Sequence, residues 1–226
     1  IYRIPEKESI MPRSHCMNCG ATLHWYDMFP VFSYIILRGR CRNCGAKISK
    51  QYPLIEALNG ILYVIVFMAN GININSLLYC LMTSVLIVLM MIDERTFEIP
   101  LCLNITLTVI GAVMCVIDRQ NIVSHLVGMV CVSIVLFIIY FLSGGQAIGG
   151  GDVKLMAAAG LILGWKLIIL AFIFACILGS VIHLIRMKVS GAKHMLAMGP
   201  YLSLGIFIAA LWGNGMIDWY VNILCR

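Results

Sequence analysis

Charge is what this sequence has least of. Only 12% of its 226 residues are Asp, Glu, Lys or Arg, 62% are hydrophobic, and the mean hydropathy is +0.97. Soluble domains carry about 25% charged and roughly 45–50% apolar residues, so a soluble enzyme is excluded and a polytopic membrane protein is implied. No fixed-period repeat and no low-complexity tract occurs, which excludes solenoid and linker-like architectures. A G-x-G-x-x-G fingerprint following a strand is also missing, so nothing marks a dinucleotide fold. The chain opens on Ile1 rather than methionine, and a preceding segment is expected. The net charge of +6 does not point to nucleic acid. Eight of the sixteen Lys and Arg lie within residues 1–52, and such clustering in a membrane protein reports orientation.

Cysteine, by contrast, is plentiful, with ten residues. Cys16-Met17-Asn18-Cys19-Gly20 and Cys41-Arg42-Asn43-Cys44-Gly45 are two C-x-x-C-G units inside the long polar stretch 1–52. Each pair chelates from one tight turn, and tetrahedral zinc takes four such ligands, so Cys16, Cys19, Cys41 and Cys44 are the expected zinc set. A polar domain this small gains from a metal staple. A basic cytoplasmic loop keeps thiols reduced, which disfavours the alternative of two disulfides. His15 and His24 flank the first pair and are not needed as ligands. Cys80, Cys102, Cys115, Cys131, Cys176 and Cys225 follow no pairing pattern and read as packing residues.

Apolar runs follow at 54–69, 76–92, 99–117, 122–142, 153–163, 167–185 and 196–212. Spanning takes roughly 17–25 residues, and most of the runs qualify. Run 153–163 covers only about 16 Å at about 1.5 Å per residue. Loop charge tests the counting. With 1–52 inside, alternate crossings place 93–98, 143–152 and 186–194 inside, the last with Arg186, Lys188 and Lys193. The outside loops 70–75, 118–121 and 164–166 then hold only Arg119 and Lys166. The short run therefore counts as a crossing, giving an all-α protein of about seven transmembrane helices (53–226) behind a cytoplasmic domain (1–52). Two crossings separate Asp93 from Asp152, so both acids belong at the cytoplasmic face. Trp219 and Tyr220, in a tail beyond residue 212, suit an interface.

Asp152 directly follows Gly149-Gly150-Gly151 and precedes Val153-Lys154. An acid in a membrane segment costs roughly 2.5–3.5 kcal/mol at its centre, so it marks a candidate functional site. Three glycines allow backbone conformations closed to other residues and leave room for a second chain. The partner expected for Asp152 is Asp93, which ends run 76–92 ahead of Ile99-Pro100. Two aspartates held close in a low-dielectric site do not both ionise, and this division is what an aspartic peptidase uses. From spacing alone, other readings stay open. Asp93 can be a solvated helix end, the acids can be a proton relay in a transporter, and the glycines can be a helix-packing surface.

Taken together the motifs resemble the type IV prepilin peptidase family, membrane aspartic peptidases of the GxGD type. Asp93 through Ile99-Pro100 matches D-x5-I/L-P, Gly149 to Lys154 matches G-x-G-D-x-K, and the C-x-x-C pairs match the family's N-terminal loop. Arg3-Ile4-Pro5, Gly39-Arg40-Cys41, Tyr52-Pro53 with Glu56, Asn104, and Gly199-Pro200-Tyr201-Leu202 extend the resemblance over almost the whole chain. It implies an additional transmembrane helix before Ile1 and a bacterial inner-membrane location. It also implies a prepilin or pseudopilin substrate whose basic leader is cut at the cytoplasmic face, and, in many members, N-methylation from S-adenosylmethionine. On this reading Asp93 and Asp152 are the catalytic pair, the four cysteines hold structural zinc, and Gly149, Gly151 and Lys154 belong to the active-site loop. Lys154 either biases the acids or snorkels to the interface.

Gln146, Met28-Phe29-Pro30 and Ala197-Met198 depart from the family pattern and touch neither the acids nor the cysteines. No methyl-donor residues stand out; Asp27 and Glu56 are candidates that serve equally well as partners of a nearby Arg. A presenilin-like protease is disfavoured, because Ile92 rather than Tyr precedes Asp93 and the cysteine loop has no counterpart there.

Overall fold

The computed structural model describes residues 14–190 and 196–225. Arg3, Lys7, Arg13, the Arg3-Ile4-Pro5 motif, Lys193 and His194 lie outside the described residues. The described chain is helical, with no β-strand and two isolated bridges, His15↔Thr22 and Arg40↔Lys47. It forms two compact units that divide between Ile65 and Val66.

In the first unit the two cysteine turns repeat one geometry. The Cys16 N–H donates to Ala21 O and the Gly20 N–H returns to Cys16 O, while Cys41, Ala46 and Gly45 make the same pair of bonds. Gly20 and Gly45 both sit at φ 69°, a left-handed conformation that costs glycine least. A 3-10 turn, Trp25–Met28, and the short helix α1, Phe32–Ile36, lie between the turns. Helix α2, Gln51–Asn70, begins in this unit and crosses its boundary.

The second unit contains α3 (Ile74–Thr96), α4 (Leu101–Ile117), α5 (Ile122–Leu142), α6 (Gly150–Leu163), α7 (Trp165–Ser190) and α8 (Gly199–Leu224). Among the described residues five helices are long and apolar enough to cross a membrane: α2, α3, α5 with the preceding turn from Arg119, α7 and α8. Helix α4 is apolar but has 17 residues, and α6 has 14. Helix α6 is short because it is the inside of the unit. It packs against α4, α5, α7 and α8 and buries Asp152, Leu155, Met156 and every residue from Ala158 to Leu163. A helix walled by other helices need not match the thickness of the lipid by itself.

Small residues set the crossings. A Cβ on Gly160 would collide with Gly128 O, so α5 and α6 meet backbone to backbone, and Gly205 lies as close to Ala171 O across α7 and α8. The far end of α6 is tied through Leu161 O, which accepts from His125 Nδ1 at 2.9 Å and from Cys115 Sγ at 3.9 Å. Boundaries follow local chemistry. Asn73 caps α3 by accepting from the Ser76 N–H at 2.8 Å, and Gly164, at φ 79°, closes α6. Only Gly164 separates α6 from α7, fewer residues than the 164–166 loop expected. Helix α8 also outruns the expected stop at Trp212. Gly213 is a contact glycine against Leu167 rather than a breaker, and the helix continues to Leu224.

Candidate active site and metal centre

The second unit brings the two acids together. Asp93 lies in the last turn of α3, which ends when the Phe97 N–H donates to Asp93 O at 2.9 Å. Asp152 lies in the first turn of α6, whose N-cap is Gly149. Both are buried, 4% and 9% exposed, and their carboxylates are close enough to interact electrostatically. Asp93 is not a solvated helix end. Its Oδ2 accepts the Gly199 N–H at 2.8 Å. That amide is one of the donors the start of α8 cannot satisfy within the helix, and Pro200 fits the next position because its missing N–H costs nothing there.

The triple glycine works by proximity rather than by conformation. None of Gly149, Gly150 and Gly151 takes a positive φ, contrary to one of the two uses expected of them. A Cβ on Gly151 would sit 2.8 Å from Ile99 Cβ, and one on Gly149 would sit 3.2 Å from Asp152 Oδ2. The Asp93…Ile99-Pro100 motif therefore rests directly on the Gly-Gly-Gly-Asp motif. Gly199 is equally tight, since a Cβ there would meet Asp93 Oδ2 at 2.6 Å. Asn104, one turn into α4, donates from Nδ2 to Gly151 O at 3.5 Å. Among the described residues three buried side-chain atoms lack hydrogen-bond partners: Asn104 Oδ1, Asp152 Oδ1 and Ser203 Oγ. Ser203 is one turn beyond Gly199.

Lys154 does not join this cluster. It is exposed, two residues and so about 200° around α6 from buried Asp152. It lines a separate cleft of about 220 Å³ with Leu101, Ile105, Met129 and Leu161, which Asn104 also borders.

In the first unit the four sulfurs of Cys16, Cys19, Cys41 and Cys44 all lie within 4.8 Å of one another, and none of the ten cysteines is in a disulfide. A tetrahedral metal with bonds of about 2.3 Å sets its sulfurs about 3.8 Å apart. Cys16 Sγ and Cys44 Sγ are 3.8 Å apart, so the residues fit a metal ion. The Ala46 N–H and the Asn18 amide lower the Cys44 thiol to about 6, and the Cys19 and Asn18 N–H groups lower Cys16. Although the Ala21 N–H favours its thiolate, Cys19 is raised to about 11 by burial and by bonding to Cys44, Cys16 and Cys41. The cluster thus favours a thiolate at Cys44 and keeps a proton at Cys19 that a cation would displace. His15 and His24 are not in the cluster; the His24 ring stacks on Tyr26. Asp27 pairs with Arg42 at 2.7 Å, and Glu56 accepts the Val31 N–H at 3.0 Å, so both have structural partners.

Comparison with known proteins agrees with both halves. The profile of the bacterial peptidase A24 N-terminal domain matches residues 1–70, and that of the type IV leader peptidase family matches 80–184. A prepilin leader peptidase/N-methyltransferase of Aeromonas hydrophila is 32% identical over 225 residues, covering 96% of this chain and 78% of the relative. The protein of the same description from Legionella pneumophila is 32% identical over 222 residues, covering 94% and 76%. The chain belongs to the type IV leader peptidase family. It is therefore an enzyme of the peptidase class. No solved structure matches it. Sequence reasoning noted Gly199 and Asn104 as family matches and gave neither a role; glycine before proline at a helix start, and asparagine in an apolar run, were the available signals.

Proposed function

We propose that this type IV leader peptidase is a membrane-embedded aspartic endopeptidase with Asp93 and Asp152 as its catalytic pair. The substrate is a type IV prepilin or pseudopilin precursor, whose short basic leader is removed at the cytoplasmic face of the bacterial inner membrane. The observation that carries this reading is the meeting of two buried acids from separate helices at one end of the helical unit, with a hydrogen bond from α8 to one of them. One carboxylate takes a proton from water as the oxygen attacks the scissile carbonyl carbon. The other gives its proton to the carbonyl oxygen, and collapse of the tetrahedral species passes a proton to the departing amine. Gly151 lets the loop lie against Ile99, and Gly149 leaves room for the Asp152 carboxylate. The reading includes seven crossings, with residues 1–52 as the cytoplasmic domain and 53–226 as the peptidase domain; the loop charges support it. It also assigns zinc to Cys16, Cys19, Cys41 and Cys44, where the ion would brace the loop and take no part in hydrolysis.

The relatives' shared description as N-methyltransferases supports S-adenosylmethionine as a second substrate. Incubating the membrane-inserted protein with a synthetic prepilin N-terminus, with and without S-adenosylmethionine, and reading products by mass separates cutting from methylation. Leader release by the parent protein, abolished in both Asp93→Asn and Asp152→Asn, is expected; cleavage retained in either variant removes that residue from the pair.

A further inference from the structure

Asn104 has a place in the site that packing does not explain. It is 3% exposed, in the first turn of an apolar helix, and a leucine would satisfy that position without burying polar atoms. Its Nδ2 reaches across to Gly151 O, the carbonyl immediately before Asp152. Its Oδ1 accepts nothing, and neither does Asp152 Oδ1 on the element it bonds to. Buried polar atoms almost always have partners, so an orphan acceptor on Asn104 and another on the turn that its Nδ2 bonds mark a place for a molecule with two donors. Water is the smallest such molecule, and buried waters typically bridge otherwise unsatisfied groups.

We propose that Asn104 is a positioning residue of the hydrolytic reaction, an inference that rests on the aspartic-pair reading above. Its Nδ2 fixes the height of the Asp152 turn through Gly151. Its Oδ1 accepts one hydrogen of the attacking water while Asp152 Oδ1 accepts the other, which turns an oxygen lone pair toward the scissile carbonyl. Asp152 then receives the proton as the C–O bond forms. Asp93, whose Oδ2 is occupied by the Gly199 N–H, faces the carbonyl oxygen with its other oxygen and supplies the second proton. Asn104 exchanges no proton. It holds the water in one orientation.

The test is steady-state cleavage of a prepilin N-terminal peptide by the full chain in membranes, comparing the parent with Asn104→Leu, Asn104→Ser and Asp152→Asn. Loss of one preorganised polar contact typically costs ~100-fold or more in kcat. Asn104→Leu is expected to show about that loss with KM within about two-fold of the parent, and Asn104→Ser, which restores an acceptor, is expected to recover about tenfold of it. A kcat for Asn104→Leu near the parent's overturns the proposal. So does a serine variant no better than leucine, which indicates packing alone. Should Asn104→Leu fail to accumulate, Asn104→Ser decides: a reduced kcat at unchanged KM supports the role, and an unchanged kcat or a raised KM refutes it. Asp152→Asn keeps the two readings apart. If it is inactive while Asn104→Leu is normal, only the role of Asn104 falls; if it cleaves, the aspartic-pair reading falls with it.

Discussion

The cysteine loop and the diacid are built in opposite ways. The cysteines lie at most 28 positions apart, in two turns that repeat the same hydrogen bonds. Each turn is complete within about six residues, and a metal need only join two preformed halves. At the diacid the contacts that join the elements come from far along the chain. Gly199 meets Asp93 across 106 positions, and Asn104 meets Gly151 across 47. Such contacts exist only once α3, α4, α6 and α8 are docked, and their precision depends on close backbone approaches such as Gly128 to Gly160. A local site is therefore robust to changes in the helical packing, whereas a non-local one inherits every error in it.

That contrast can be broken outright. Asp152→Asn is expected to abolish leader cleavage while metal analysis of the same preparation still finds about one zinc per chain. A variant that lost both would show the two sites to be one cooperative structure. Next in size is Gly199→Ala. Its methyl would fall 2.6 Å from Asp93 Oδ2 and push the acid from its amide, and displacements of about 1 Å in a site cost of order 100-fold in rate. A peptide assay finding normal kcat would show that the α8 amide is dispensable.

Cys44→Ser sharpens the comparison from the other side. Metal content and yield are expected to fall strongly, with cleavage per folded molecule reduced only several-fold. Full zinc loading in this variant and in Cys16→Ser would rule out the four-thiolate site. Gly160→Ala tests how far the diacid depends on helix packing. Its methyl meets Gly128 O, a backbone atom that cannot swing away, an overpacking that typically costs about 1–3 kcal/mol or more, so the thermal midpoint is expected to fall by several degrees and cleavage several-fold with metal content unchanged.

Much of this was legible in advance because its causes are local. Apolar runs located the helices, the paired C-x-x-C-G units located the four-thiol cluster, and loop charge put Asp93 and Asp152 at one end before any contact was known. Lys154 shows where such reading stops. Two residues from Asp152, it reads as part of the same loop, but helical rotation turns it away into another cleft. The apolar run stops at Trp212, and Asn214 and Asp218 follow it, yet α8 runs on to Leu224 with nearly every residue beyond Gly213 exposed. The triple glycine suggested unusual dihedrals, and it is needed because Ile99 lies against it.

The sequence by itself determined which segments leave water, which four thiols gather, and which family the chemistry belongs to, since hydropathy, chelate spacing and motif order are properties of neighbouring residues. Only the tertiary structure decided that the start of α8 supplies an amide to Asp93 and that Asn104 faces the Asp152 turn. Those partners are far apart in the chain, and helix ends expose their unpaired donors to whatever packing brings near.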